Sequence, residues 1–390
     1  MRITTRSNCF PEVLSLALLS LLIALWTRPA LAQAKPDWKQ KWDKVLGNAK
    51  KEGKVVVWGP PGELIRDAMT QGFKKAFPDI AIEYSGARGG EQATRIKAER
   101  DGGVYSVDIL LSGTTTAITY MKPMKALDPI EPALILPEVT DLKNWRGNSL
   151  EFSDETTRSN LVFVNTLKTP LVYNAQQAKP EEINELTKLL DPKWKGKFVL
   201  NDPLPSGSGN VTFRWIWRVL GPEKAADYYR KIRAHAALVD RDQRRQIEWI
   251  AQGKYGFLLG PSDGVLAQLL QRGLKLGVLQ EFADYGTYIT ASFGSAMLIN
   301  KASHPNAATI FLNWVLGKEG QTAWSKAMTH VSRRLDVPTD HLSPYAIPAA
   351  GAKVFTGSPK PGDKYWLSHS EQNVTRTPEE TKILKELFGR

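Results

Sequence analysis

Leu189–Asn210 reads LLDPKWKGKFVLNDPLPSGSGN. Asp191-Pro192 closes a helical pattern, because proline cannot continue a helix and biases the residue before it away from the helical region. Phe198-Val199-Leu200 is an apolar run long enough for one buried strand. Pro205-Ser206-Gly207-Ser208-Gly209 then supplies small residues at the mouth of a second helix, Val211–Leu220. A strand, a small-residue loop and a helix start present unpaired backbone N–H groups and a positive dipole end, a combination suited to a small anion. The plainer reading is an ordinary strand-to-helix loop with a Ser/Gly cap.

Working outward, the same unit recurs. Val55-Val56-Val57-Trp58 reads as a buried strand, followed by Gly59-Pro60-Pro61-Gly62 and a helix through Phe73 toward Phe77. Ile80, Ile82 and Tyr84 alternate as in a strand, then come Ser85-Gly86-Ala87-Arg88-Gly89-Gly90 and helix Glu91–Arg100. Val107–Leu111 runs into Ser112-Gly113-Thr114-Thr115-Thr116 and another helix. Consecutive strand-loop-helix units predict an α/β fold with mostly parallel sheets flanked by helices, whose ligands sit on the loops at the carboxyl ends of the strands. A second group of units follows the opening stretch: helices Glu223–Ala234, Arg244–Gln252 and Gly264–Arg272, with strands Tyr255–Leu259 and Leu276–Leu279. Ser295–Asn300 reads as a strand, and the helix after it has Pro305 in its first turn and Gly317 just past its end. The tail is Pro/Gly-rich and closes with an amphipathic helix, Pro378–Phe388.

Arg2 and Arg6 precede an apolar run, Val13–Trp26, and small-x-small triplets at Ala30-Leu31-Ala32 and Ala32-Gln33-Ala34 follow it. The run is short for a spanning helix, so residues 1–34 read as a cleavable secretory signal peptide ending after Ala32 or Ala34, with an uncleaved anchor as the alternative. The only cysteine, Cys9, leaves with it. The mature chain therefore has no disulfide, thiolate metal site or cysteine nucleophile. The formal charge of +12 falls to about +10 once Arg2, Arg6, Arg28 and Glu12 are removed. Lys and Arg are interleaved with Asp and Glu, which argues for a solvated surface with a bias toward anionic ligands and against a nucleic-acid partner.

Several segments carry a family resemblance. Glu52–Val57, Phe73–Ile80 and Arg95–Glu99, with Asp191–Lys197, His304–Ala308 and Lys318–Gln321 further on, resemble type II periplasmic solute-binding proteins of ABC importers. The resemblance is to the branch of ferric-iron, thiamine, phosphonate and polyamine binders and covers roughly residues 50–335. It implies two α/β lobes joined by crossing strands, a ligand in the cleft between them, hinge closure, a periplasmic location and delivery to membrane permease subunits by a monomer. It also implies that the chain crosses near Leu161–Tyr173 and returns near Tyr285–Ser295. The expected layout is thus a discontinuous first lobe (35–163 and 290–335), a second lobe (164–289) and a C-terminal segment (336–390) packing on both.

The resemblance places the ligand on the loops already singled out. The expected ligand residues are Trp58, Gly62, Ser85, Arg88, Gly89, Gly90, Ser112, Gly113 and Thr114 from the first lobe. From the second come Ser206, Gly207, Ser208, Gly209, Asp240, Arg241, Ser262 and Asp263. Arg88 can grip a carboxylate or phosphonate as a two-pronged fork. Otherwise it is a solvated surface arginine, and Asp240 and Arg241 a mutual surface ion pair. Tyr285 and Tyr288 are further candidates for lining the cleft. Iron-binding members use adjacent tyrosines where this chain has Pro261-Ser262-Asp263, and Tyr228-Tyr229 falls mid-helix, as packing. No metal and no cofactor are expected, and the reading is a receptor for a small anionic organic solute. The alternatives are a ferric-iron or thiamine-type binder of the same fold and, from another class, an exported hydrolase. The hydrolase lacks the glycine-flanked serine of a nucleophile elbow, and its only offered bases are His235 and His304.

Overall fold

The computed structural model describes residues 37–205, 207–360 and 362–389. The signal-peptide reading, Cys9 and Ser206 lie outside them. Among the described residues no helix is long and apolar enough to cross a membrane.

Three sheets organise the described residues. The first has seven strands. Lys54–Gly59, Ala81–Gly86 and Ile109–Ser112 run parallel, and Ser295–Ile299 joins antiparallel beside Ile109–Ser112. Leu161–Val162, Glu151–Phe152 and Leu127–Asp128 complete it. The second has five: Leu238–Asp240, Phe198–Asn201 and Phe257–Leu259 are parallel, with Leu171–Tyr173 and Gly277–Leu279 added antiparallel. Parallel order is thus confined to the strand-helix units read from the sequence. The antiparallel pairs include the strands next to the connection between lobes, Leu161–Val162, Ser295–Ile299, Leu171–Tyr173 and Gly277–Leu279, so both sheets are mixed.

The third sheet is that connection. Thr166–Leu167 and Thr287–Thr290 cross antiparallel, and the C-terminal strands Asp363–Leu367 and Lys353–Phe355 extend the pair.

Each lobe has its own apolar core. In the first, helix Pro305–Leu316 is buried on most of its faces, and Phe311 and Trp314 set their rings 5.2 and 5.6 Å from Phe73. Burying each such aromatic is worth about 2–3 kcal/mol. Gly317 does not adopt the left-handed turn expected of a helix-ending glycine. Its φ is −70°, and it caps the next helix, Lys318–Met328, directly. In the second lobe, helix Ser208–Leu220 buries Phe213, Trp215, Ile216 and Trp217, and its neighbour Pro222–His235 buries Tyr228 and Tyr229.

Candidate ligand site

The strand registers decide which loops share an edge. In the first sheet Gly59 lies opposite Gly86, Trp58 opposite Leu110 and Ser112 opposite Ser295. The loops after residues 59, 86 and 112 therefore leave from one edge. In the second sheet Asp240 lies opposite Asn201, and Leu259 opposite Leu200 and Leu171. Here too the carboxyl ends of the parallel strands share an edge. Val162 pairs with Ser295 at the first edge, just before and just after the crossing strands, and Leu171 begins at the second edge just after them. Both loop edges therefore adjoin the third sheet.

On the first edge Gly89, Ser112 and Thr116 meet. The Ser112 hydroxyl donates to Thr116 Oγ1 at 3.1 Å. A Cβ on Gly89 would stand 2.1 Å from that oxygen and 3.1 Å from Ser112 Oγ, so only glycine permits the approach. Arg88, exposed, precedes helix Gly89–Asp101. Its backbone N–H donates to Glu91 Oε2 at 3.1 Å, and its guanidinium has no ion pair among the described residues. Ser85, Gly90 and Gly62 are also exposed, Gly62 as the residue before helix Glu63–Ala76. Gly113 precedes the short turn Thr114–Thr116, whose first residue is buried. Trp58 is corrected: it is 3 % exposed, packed with Ile96, Met121 and Met297 and covered by the Arg95 guanidinium. A central strand covered on both faces leaves no side of the ring for a ligand.

On the second edge the side chains are already engaged. Gly209 lies against the chain, where a Cβ would sit 2.6 Å from the carbonyl oxygens of both Asn201 and Asp202. Gly207 and Ser208 begin helix Ser208–Leu220, and Gly207 is exposed. Asp240 and Arg241 do not pair with each other. Asp240 takes Arg245 at 2.6 Å and the Asp242 N–H at 2.7 Å, whereas Arg241 donates to Asp202 at 3.1 Å. Asp263 accepts from Lys168 and from the Thr169 N–H at 3.0 Å, which ties it to the crossing segment, and Ser262 is half-buried beside it. Asp240 thus braces its own loop, and Asp263 ties its loop to the crossing segment.

Tyr288 is corrected as well. It is 1 % exposed, and its hydroxyl shares a 2.8 Å hydrogen bond with Thr212, because the strand carrying it is sandwiched inside the third sheet; burial pushes its pKa up. Tyr285 is half-buried against the second lobe's core. Tyr228 and Tyr229 are packing residues, Tyr229 stacking on Phe213 at 4.3 Å. Neither histidine offered as a base lies on a loop edge. His235 Nδ1 is 3.0 Å from the Lys231 carbonyl, and His304 Nδ1 is 2.9 Å from Asp108, just before a strand of the first sheet. A groove of about 520 Å³ lined by Lys41, Asp108, Asp128, Leu298 and Pro305 also sits at the amino-terminal edge, away from these loops.

Sequence reading missed Asn201, Asp202, Thr116 and Lys168. Asn201-Asp202-Pro203 carried a usable signal, since Asx residues before proline at a strand end bind nearby backbone. Asp202 does so with the Leu204 N–H at 3.0 Å, whereas the Asn201 amide reaches a distant strand end, the Gly260 carbonyl, at 2.7 Å.

The fold is similar to that of the periplasmic binding protein AfuA from Actinobacillus pleuropneumoniae (TM-score 0.60, 16 % identity, 86 % of this chain and 97 % of that one). It is also similar to HitA from Pseudomonas aeruginosa (TM-score 0.63, 16 % identity, 86 % and 99 %). In sequence it is 21 % identical over 277 residues to an Fe(3+)-binding periplasmic protein of Serratia marcescens, covering 68 % of this chain and 75 % of that protein. The family model for bacterial extracellular solute-binding proteins matches residues 68–346. The chain belongs to that family of bacterial extracellular solute-binding proteins.

Proposed function

We propose that the protein holds a small anionic organic solute between the two loop edges and hands it, as a monomer, to its permease in the periplasm. In this reading residues 35–163 and 290–335 form one lobe, 164–289 the other, and 336–390 packs on both. The observation that carries it is the asymmetry of charge at the edges: Arg88 stands exposed at a helix start with no ion pair among the described residues, whereas on the opposite edge Asp202, Asp240 and Asp263 are each matched by a cation and Asp242 caps helix Gln243–Ala251 through the Arg245 N–H. Helix starts at Gly89 and Ser208 add backbone donors suited to the same sign. Ser112, Thr114 and Gly207 supply small polar and backbone groups around them.

Iron carriage is the second reading, because the Serratia relative is an Fe(3+)-binding protein and HitA was solved with iron bound. Against it, the adjacent tyrosines of this chain are buried in a core and Asp263 is tied to Lys168. AfuA, of the same fold, was solved with fructose-6-phosphate. The test is native mass spectrometry of the purified protein, then a thermal-shift screen of carboxylates, phosphonates, sugar phosphates, thiamine compounds, polyamines and Fe(III). Stabilisation by an organic anion is expected. A response to polyamines or Fe(III) alone overturns the reading.

A further inference from the structure

The family match ends at residue 346, yet the chain continues into strand Asp363–Leu367, the turn Glu371–Val374 and helix Pro378–Phe388. This stretch touches all three parts of the fold. Its strand runs parallel to Thr287–Thr290, and the Ser368 N–H donates to the Ile289 carbonyl at 3.0 Å. The next residues fasten to the first lobe: His369 to Glu151, the Glu371 N–H to the Ser153 carbonyl at 2.9 Å, and the Glu371 carboxylate to Lys122. Immediately afterwards the chain fastens to the second lobe. Arg214 donates to the Asn373 carbonyl, and Arg218 to the Thr375 carbonyl at 3.3 Å and to fully buried Glu380 at 3.2 Å. Phe388 then enters the second core beside Phe213 and Tyr229.

The two sets of anchors are adjacent in sequence, so no slack chain separates them. Rotation about crossing strands changes the distance between lobes, and a taut tether fixed to both must resist it. We propose that Asp363–Phe388 is an interlobe brace, a third connection that narrows the range of angles the lobes sample whether or not a ligand is present.

The test needs no ligand, so its outcome is separate from that of the proposed function. The chain from Asp37 onward has no cysteine. Spin labels therefore go on Thr94→Cys and Lys224→Cys, exposed positions on helices of the first and second lobe. Pulsed dipolar spectroscopy then reads the interlobe distance distribution of the mature protein. Two changes loosen the brace: Lys122→Ala with Glu371→Ala removes a lobe anchor, and a Gly/Ser insertion after exposed Gln372, between the two sets of anchors, gives the tether slack while leaving the terminal helix intact. A narrow distribution in the parent, roughly doubled in width in the slack variant and broadened less in the anchor variant, is the expected result. Equal widths in parent and slack variant, with circular dichroism showing both folded, overturn the proposal.

Discussion

The two loop edges are built alike and charged differently. On the first, the small residues Gly89, Ser112 and Thr116 pack together and leave Arg88 outward with no ion pair among the described residues. On the second, Arg241 is matched to Asp202, Arg245 to Asp240 and Lys168 to Asp263, while Gly209 lies flush against backbone. The lesson is one of division of labour. A charge already neutralised by a neighbour defines shape, and one left unpaired is available for recognition. In the proposed function the second edge would be a wall of backbone donors and the first the grip.

The contrast can be broken from the first lobe, which also holds a charge cluster, at the Ser112 end of its sheet. Burial opposes the charge on Glu151, but His369 and Arg333 outweigh it and bring its pKa from the usual 4.5 down to about 2. The folded value is the lower one, so this stabilisation is present above pH 4.5 and is lost as the pH falls toward 2. Denaturant titrations across that window should show a loss of about 3 kcal/mol attributable to this group. Glu151→Gln should flatten the acid limb, and an unchanged limb returns the cluster to irrelevance.

Next in size, Gly209→Ala should cost about 2 kcal/mol, because its Cβ meets two fixed carbonyls, whereas Gly90→Ala, with open space around it, should stay within about 0.5 kcal/mol. Equal losses in chemical denaturation would mean that the second edge is no more tightly built than the first. Arg88→Ala should weaken binding of the solute found in the screen more than tenfold, about 1.4 kcal/mol, with no change in melting temperature. An unchanged calorimetric affinity makes it a surface arginine. Smallest is Arg241→Ala: about 1 kcal/mol of stability, since buried Asp202 loses its cation, and less than about threefold in affinity. A larger affinity loss would make both edges grips.

Much of the fold was legible because it is local. Apolar runs bounded by glycine and proline located the parallel strands, and helix periodicity located Pro222–His235 and Pro378–Phe388 to within a residue or two. The mixed sheet order was not legible, since Ser295–Ile299 chooses its neighbours only once the distant strands exist. Of the site, the loops were visible and the state of their side chains was not. Arg245 and Asp202 claim Asp240 and Arg241 through the register of two strands far apart in sequence, which no spacing rule encodes. Trp58 was misjudged because a strand end looks the same in sequence whether one of its faces is covered or both.

The place of Ser295–Ile299 in the first sheet, between Ile109–Ser112 and Leu161–Val162, bears on how the protein is made. That lobe cannot knit its central seam until residue 299 has left the ribosome, on the order of ten seconds after Val162 at ordinary rates of synthesis. A chain bound for export has to stay threadable until it has crossed the membrane, and a half that waits for its keystone is spared premature closure.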